Sequence, residues 1–144
     1  LVSEFVDYRT PFERIYMWRQ QEREELRSRA HDGFITDAPL FHFYISARMA
    51  TKESRDDLAV RELFRMCMEI EKRYGLIVIA ANPSEIFYRA DSSRNAGDEA
   101  RIARHKSTLS FVEHFWSDKL LKVNGLPNDR VMQVEKKLEE IYKI

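Results

Sequence analysis

Two acidic residues in this sequence stand where a carboxylate could take part in chemistry. Asp37 lies in the run GFITDAPL, at the point where an apolar segment ends and Pro39 opens a new helix. A carboxylate there suits a hydrated magnesium ion or a substrate hydroxyl, because hard cations bind oxygen ligands. It could equally cap the helix, a role that contributes about 1 kcal/mol. Glu4 follows the apolar start of the chain and could contact a substrate hydroxyl or sugar, or be an ordinary solvated acid.

A cluster of arginines follows later in the chain. Its members are Arg89, Arg94, Arg101 and Arg104. Phosphoryl transfer needs several arginines on a loop, because negative charge spreads over the phosphate oxygens in the transition state. The segment also contains Ser92, Ser93 and Gly97, which favour a flexible loop. The alternative is a solvated helix face with Asp98 and Glu99 as ionic partners.

The remaining reactive side chains favour a core over a site. The four histidines show no metal-binding spacing, and one cysteine makes a structural zinc site a poor interpretation. Cys67 lies on an apolar helical stripe and is predicted to be inert core. Phe12, Tyr16 and Trp18 could line a pocket for a base, although an aromatic stripe more commonly belongs to the core.

Composition limits the class of protein. The 144 residues have the size of one domain, and a hydrophobic share of 44% is enough for a core. Lys+Arg and Asp+Glu number 24 each, so bulk charge gives no support for binding to nucleic acid or membrane. No apolar run reaches the roughly 18 residues of a membrane span, and no signal peptide opens the chain. We therefore expect a single domain over residues 1–144 and a cytoplasmic location.

Strands and helices are predicted to alternate. The predicted strands cover residues 1–6, 34–36, 76–81 and 120–123. The predicted helices cover residues 10–30, 40–50, 51–74, 98–117 and 128–143. The apolar, non-alternating run at 76–81 indicates a strand buried on both faces. This order predicts an α/β three-layer sandwich with a mostly parallel sheet, whose ligands bind beyond the carboxyl ends of the strands, near Glu4, Asp37 and Asn82.

Several segments occur in an order that resembles the P-loop nucleoside and nucleotide kinases. SEF is similar to a second strand ending in a substrate-side acid, and MWRQQEREEL to a long substrate-side helix. GFITDAPL is similar to a strand–Asp–helix segment and LIVIAANP to the next buried strand. YRADSSRNAGDEARIARH resembles an arginine-bearing lid, at about residues 89–105, and LLKVNGLPNDRVMQVEKKL a final strand and helix. The closest likeness is to small kinase-like domains related to nicotinamide riboside kinase and thymidylate kinase.

This resemblance implies an ATP-dependent phosphotransferase with Mg²⁺ as cofactor. Its acceptor would be a nucleoside, a nucleotide or a related small molecule. Asp37 would serve the magnesium ion or the substrate, and Arg94 and Arg101 would close over the transferring phosphate. The substrate-binding residues would be Glu4, Arg9 and Arg89.

The sequence departs from the kinase pattern at two points. Ala38 stands where many of these kinases carry a substrate-binding arginine, and no G-x-x-x-x-G-K-[ST] phosphate loop occurs. We expect the first strand and the phosphate loop to lie upstream of Leu1, so that the chain is N-terminally incomplete. Two alternatives stay open: a non-catalytic binding or assembly module with a degenerate P-loop-type fold, and a kinase acting on nucleic-acid ends or modified bases. Zero net charge favours a small-molecule acceptor, and the oligomeric state is open.

Overall fold

The computed structural model describes residues 11–29, 33–50, 57–82 and 98–143. Within these ranges the helices are α1 (Pro11–Arg29), α2 (Phe41–Ala50), α3 (Asp57–Glu69), α4 (Asp98–Phe115) and α5 (Pro127–Tyr142). The strands are β1 (Ile77–Ala80) and β2 (Leu120–Val123), and a short 3-10 helix, Ser117–Lys119, precedes β2. Contacts divide the described chain into two compact units, the first ending at Glu71 and the second beginning at Lys72.

The first unit is helical, with α1, α2 and α3 packed against one another. Its core includes the fully buried side chains of Trp18, Leu40, Phe41 and Leu63. The apolar positions predicted on this helix are buried: Leu63, Met66 and Cys67 within α3, and Ile70 in the turn that follows it. The spacing of the three helical residues places them on one side of α3, which ends at Glu69 and not at residue 74 as predicted.

The inner face of α1 differs from the one that its apolar residues predict. The apolar residues Phe12, Ile15 and Leu26 predict the inner face of this helix, but Phe12 is 55% and Leu26 48% exposed. Arg14, Trp18 and Glu25 are buried instead. Apolar residues are too sparse in this helix to define a face, so burial of the large indole of Trp18 sets its rotation and takes two charged residues inward with it.

The segment before α2 also corrects a prediction. Residues 34–36, predicted as a strand, have no regular secondary structure, and the side chain of Ile35 is fully exposed. A strand requires a hydrogen-bonded neighbour, and none of the described strands pairs with this segment. Asp37 therefore lies in an irregular corner between α1 and α2, and α2 itself forms as predicted.

The second unit contains the sheet. β1 and β2 are parallel neighbours, with Ile77 opposite Leu120 and Ala80 opposite Val123. A hairpin cannot join parallel strands, so the chain returns through a crossover that contains α4. The strands predicted at 76–81 and 120–123 and the helices predicted at 98–117 and 128–143 are confirmed, with bounds shifted by at most two residues.

The described residues thus form a mostly helical α/β structure with a two-stranded parallel sheet. The three layers expected for a kinase-like sandwich are not seen within these ranges. Val78 in β1 is 42% exposed, so the expectation of a strand buried on both faces is wrong at this position. The predicted strand at residues 1–6 lies outside the described residues, and the single domain over 1–144 stays a prediction.

One property of the helices bears on membranes. Among the helices that the structure describes, none combines the length and the apolar character needed to cross a bilayer.

The packing of α3 generates the first prediction. Replacing Leu63 by Ala should lower the free energy of unfolding by about 2–5 kcal/mol, because the change leaves a cavity in the core of the first unit. Leu58→Ala is the matched control on the same helix, since Leu58 is 70% exposed, and should change the value by less than about 0.5 kcal/mol. Urea denaturation followed by circular dichroism measures both, and equal effects would contradict the described orientation of α3.

Candidate functional site

Asp37 presents an exposed carboxylate at the corner between α1 and α2. The residue after it is hydrogen-bonded through both of its backbone groups. The amide of Ala38 donates to Thr36 Oγ1 at 3.2 Å, and the carbonyl of Ala38 accepts a hydrogen bond from Gln21 Nε2. Hydrogen bonds therefore hold the backbone at Ala38 to Thr36 and to Gln21 of α1.

The alternative role of Asp37 as a helix cap is not supported by the geometry. The first amides of α2 are satisfied by backbone carbonyls, with His42 N donating to Pro39 O at 3.0 Å and Phe43 N to Leu40 O at 3.1 Å. Within the part of the chain that the structure describes, the carboxylate of Asp37 forms no hydrogen bond or ion pair. An exposed carboxylate beside a hydrogen-bonded peptide is suited to a ligand.

In the second unit, α4 is attached to the carboxyl end of β1. His105 Nε2 lies 2.7 Å from the carbonyl oxygen of Ala80, the last residue of the strand. A carbonyl only accepts, so Nε2 carries the proton and donates. The pairing of the strands continues one residue further, because Ala81 N donates to Val123 O at 2.8 Å.

Two arginines lie close to His105 on α4. Arg101 precedes His105 by four residues and so shares its helix face, Arg104 follows Arg101 by three residues, and both arginines are half-buried. Since α4 returns the chain from the carboxyl edge of the sheet, its first turns lie at that edge, and Arg101 lies about 6 Å further along the axis than His105. Lys106 points to a different side of the helix and is exposed. Arginine is the residue type that best matches phosphate oxygens, so these turns of α4 are a candidate phosphate site.

The carboxyl end of β2 is held by α5. The side-chain amide of Gln133 donates to Asn124 O at 2.8 Å and accepts from Asn124 N at 3.3 Å. Arg130 Nε donates to Gly125 O at 2.8 Å. Gly125 has a φ of +88°, and a β-carbon there would lie 3.0 Å from an Asp129 carboxylate oxygen, so only glycine fits this turn without strain. Both strand ends are therefore fixed by side chains of the helices beside them.

The structure describes two of the six residues that the sequence assigned to a site. Asp37 lies in the first unit and Arg101 in the second. The other four lie outside the described residues: Glu4, Arg9, Arg89 and Arg94. The lid at about residues 89–105 is described only from residue 98 onward, where it is the start of α4.

Sequence reasoning missed three residues whose side chains hydrogen-bond the backbone near the candidate sites: Gln21, His105 and Gln133. The sequence carried a signal for His105 alone, which follows Arg101 by four residues and so shares its helix face. Gln21 and Gln133 act on residues 17 and 9 positions away, and helical spacing says nothing about such contacts.

Other candidate side chains are placed in the core or lack partners for a metal. Burial raises the pKa of the Cys67 thiol, which is fully buried, so a nucleophilic role has no support. Trp18 is core, whereas Phe12 and Tyr16 are exposed, so the three aromatic residues do not form one pocket. No group of three or more His, Cys, Asp and Glu side chains among the described residues could hold a metal ion.

Comparisons of this chain with family models, with curated proteins and with solved structures found no match.

The contact between α4 and β1 can be tested by substitution. His105→Ala should lower the free energy of unfolding by about 1 kcal/mol, because the half-buried Ala80 carbonyl loses its donor. His114→Ala is the control on the same helix, since His114 is exposed, and should stay within about 0.5 kcal/mol of the parent. Urea denaturation of the two variants gives the comparison, and a silent His105→Ala would contradict a structural bond to Ala80.

Proposed function

We propose that this chain belongs to an ATP-dependent phosphotransferase whose acceptor is a nucleoside, a nucleotide or a related small molecule. The observation that supports it best is the pair of half-buried arginines, Arg101 and Arg104, at the carboxyl edge of the parallel strands. Ligands of α/β sheets bind at this edge, and arginine forms paired hydrogen bonds with phosphate. A cytoplasmic location is part of the proposal.

In this proposal, α4 holds a phosphate group of the nucleotide. Arg101 binds the phosphate oxygens through the planar fork of its guanidinium group. His105 acts as a positioning residue, because its bond to Ala80 sets the height of α4 along the strand. Arg94, Glu4, Arg9 and Arg89 keep their predicted roles toward the transferring phosphate and the acceptor.

Asp37 is proposed to serve Mg²⁺ or the acceptor. Mg²⁺ keeps several water ligands in proteins and takes one or two carboxylates together with substrate phosphates. A single exposed carboxylate such as that of Asp37 fits this ligand set, and a cage of three protein ligands is not required. The metal ion would supply neutralisation of phosphate charge, while Asp37 would orient the ion or accept a hydrogen bond from the acceptor hydroxyl.

Asp37→Asn in the intact protein tests this role. Transfer of the γ-phosphate from MgATP to a panel of nucleosides and nucleotides should fall about 100-fold or more in kcat, because the amide has no negative charge. Asp118→Asn is the control, since Asp118 is an exposed acid in the other unit, and should leave kcat within about twofold. If Asp37→Asn retained turnover within a few-fold, the assigned role would be wrong.

Arg101→Ala tests the phosphate contact. The kcat/KM for MgATP should fall about 10- to 100-fold, the effect of losing a charged hydrogen bond to phosphate. Lys106→Ala removes the same charge from another side of α4 and is the matched control, expected to be nearly silent. Equal losses in the two variants would mean that only the summed charge of α4 matters, and that no specific contact exists at Arg101.

A non-catalytic binding or assembly module is the second candidate. It is favoured by α5, in which no side chain is fully buried, and by the exposure of Leu126 (74%), Val131 (55%) and Met132 (67%). This alternative predicts no phosphate transfer to any acceptor. A salt titration of acceptor binding distinguishes a kinase for nucleic-acid ends from a small-molecule kinase, because binding of a polyanion weakens steeply as the salt concentration rises.

A further inference from the structure

Gln21 connects α1 to the corner that carries Asp37. Its side-chain amide nitrogen donates a hydrogen bond to the carbonyl oxygen of Ala38, 17 residues further along the chain. The same nitrogen lies 3.3 Å from Glu25 Oε1, one helical turn away on α1. An amide nitrogen carries two hydrogens, so one can be directed to each acceptor.

The surroundings of Gln21 restrict its orientation. It lies on the inner face of α1, in the same row as the buried residues Arg14, Trp18 and Glu25. Glu25 is only 5% exposed, so its carboxylate is a fixed acceptor with little access to water. The amide of Gln21 is therefore directed at Ala38 from a rigid support, as a side chain that positions another residue requires.

The bond to Gln21 completes the constraint on the peptide beside Asp37. Thr36 Oγ1 accepts a hydrogen bond from the amide of Ala38 at 3.2 Å, and Gln21 donates a hydrogen bond to the carbonyl of Ala38. Both peptide units that follow Asp37 are thereby oriented, although its carboxylate is exposed. Holding a reacting group in one direction before the ligand arrives lowers the entropy lost on binding and in the transition state.

Packing of the first unit does not require this bond. The three helices have an apolar core of their own, which includes Trp18, Phe41 and Leu63. Gln21 is half-buried beside that core, and its bond is made to a corner with no regular secondary structure. We therefore expect the bond to orient the backbone at Asp37 and Ala38 more than it stabilises the packing of α1, α2 and α3.

We propose that Gln21 is a positioning residue for Asp37: its hydrogen bond to the Ala38 carbonyl fixes the direction in which the Asp37 carboxylate meets Mg²⁺ or the acceptor. This inference rests on the proposed function of Asp37. The site would then depend on a second contact, which Gln21 makes from α1, 17 residues away from Ala38 in the sequence.

Gln21→Met tests the proposal, because methionine has a similar length and volume but no donor. In the intact protein, kcat for phosphate transfer from MgATP should fall about 10-fold, and the Mg²⁺ concentration at half-maximal rate should rise. Gln20→Met is the matched control, since the neighbouring Gln20 is exposed and donates to Tyr16 Oη of its own helix, at 3.0 Å. Gln21→Lys supplies a donor again and should recover most of the loss.

A double-mutant cycle separates positioning from general damage. In the Asp37→Asn background, Gln21→Met should cause no further loss of kcat, because a positioning residue acts only through the group that it positions. Additive losses would overturn the proposal. If Asp37→Asn reduced transfer but Gln21→Met did not, the positioning role would fail while the proposed function stood. If Asp37→Asn itself left phosphate transfer unchanged, both the positioning role of Gln21 and the proposed role of Asp37 would be wrong.

A structural readout covers the case in which Gln21→Met folds poorly. Thr36→Val removes the other hydrogen bond on Ala38 without touching α1, and should also lower kcat. Amide hydrogen exchange should then speed up about 10-fold at Ala38 in Gln21→Met or Thr36→Val, with Gln20→Met unchanged. Unaltered exchange and kcat in Thr36→Val would overturn the claim that the direction of this corner matters.

Discussion

The second unit depends on the parallel pairing of β1 and β2. Parallel strands cannot be joined by a tight turn, so the chain must leave β1 at the carboxyl edge and return to the amino edge before β2 begins. In this protein α4 makes the return. Its first turns, with Arg101, Arg104 and His105, therefore lie at the edge where the strands end, and the hydrogen bond from His105 to Ala80 fixes that position.

The first unit depends on a different constraint, the burial of Trp18. Once the indole is in the core, the helical repeat carries Arg14, Gln21 and Glu25 to the same side of α1. A helix whose inner face contains an amide and two charged groups has polar atoms available for contacts with a neighbouring segment. Gln21 makes such a contact with Ala38, and the direction of the Asp37 corner follows from it.

The two units use the same device at their candidate sites. In each, a side chain on a regular helix hydrogen-bonds a backbone carbonyl in an adjoining segment: Gln21 with Ala38, His105 with Ala80, and Arg130 with Gly125. A regular helix is rigid, so a side chain on it limits the movement of the residue that it contacts. Catalytic or binding groups on such segments are held in place without losing exposure to a ligand.

The sequence by itself predicted the described helices, apart from the end of α3 at Glu69, together with the two described strands and their parallel arrangement. Apolar spacing in α3 and the unbroken apolar run at β1 are local signals, and local signals act through propensity and periodicity. It also singled out Asp37 and Arg101 as candidate site residues, and the structure describes the first as exposed and the second as half-buried. The tertiary structure alone decided the inner face of α1, the irregular backbone at residues 34–36, and the roles of Gln21, His105 and Gln133. These depend on contacts between segments distant along the chain, and no periodic pattern encodes which carbonyl a side chain will meet.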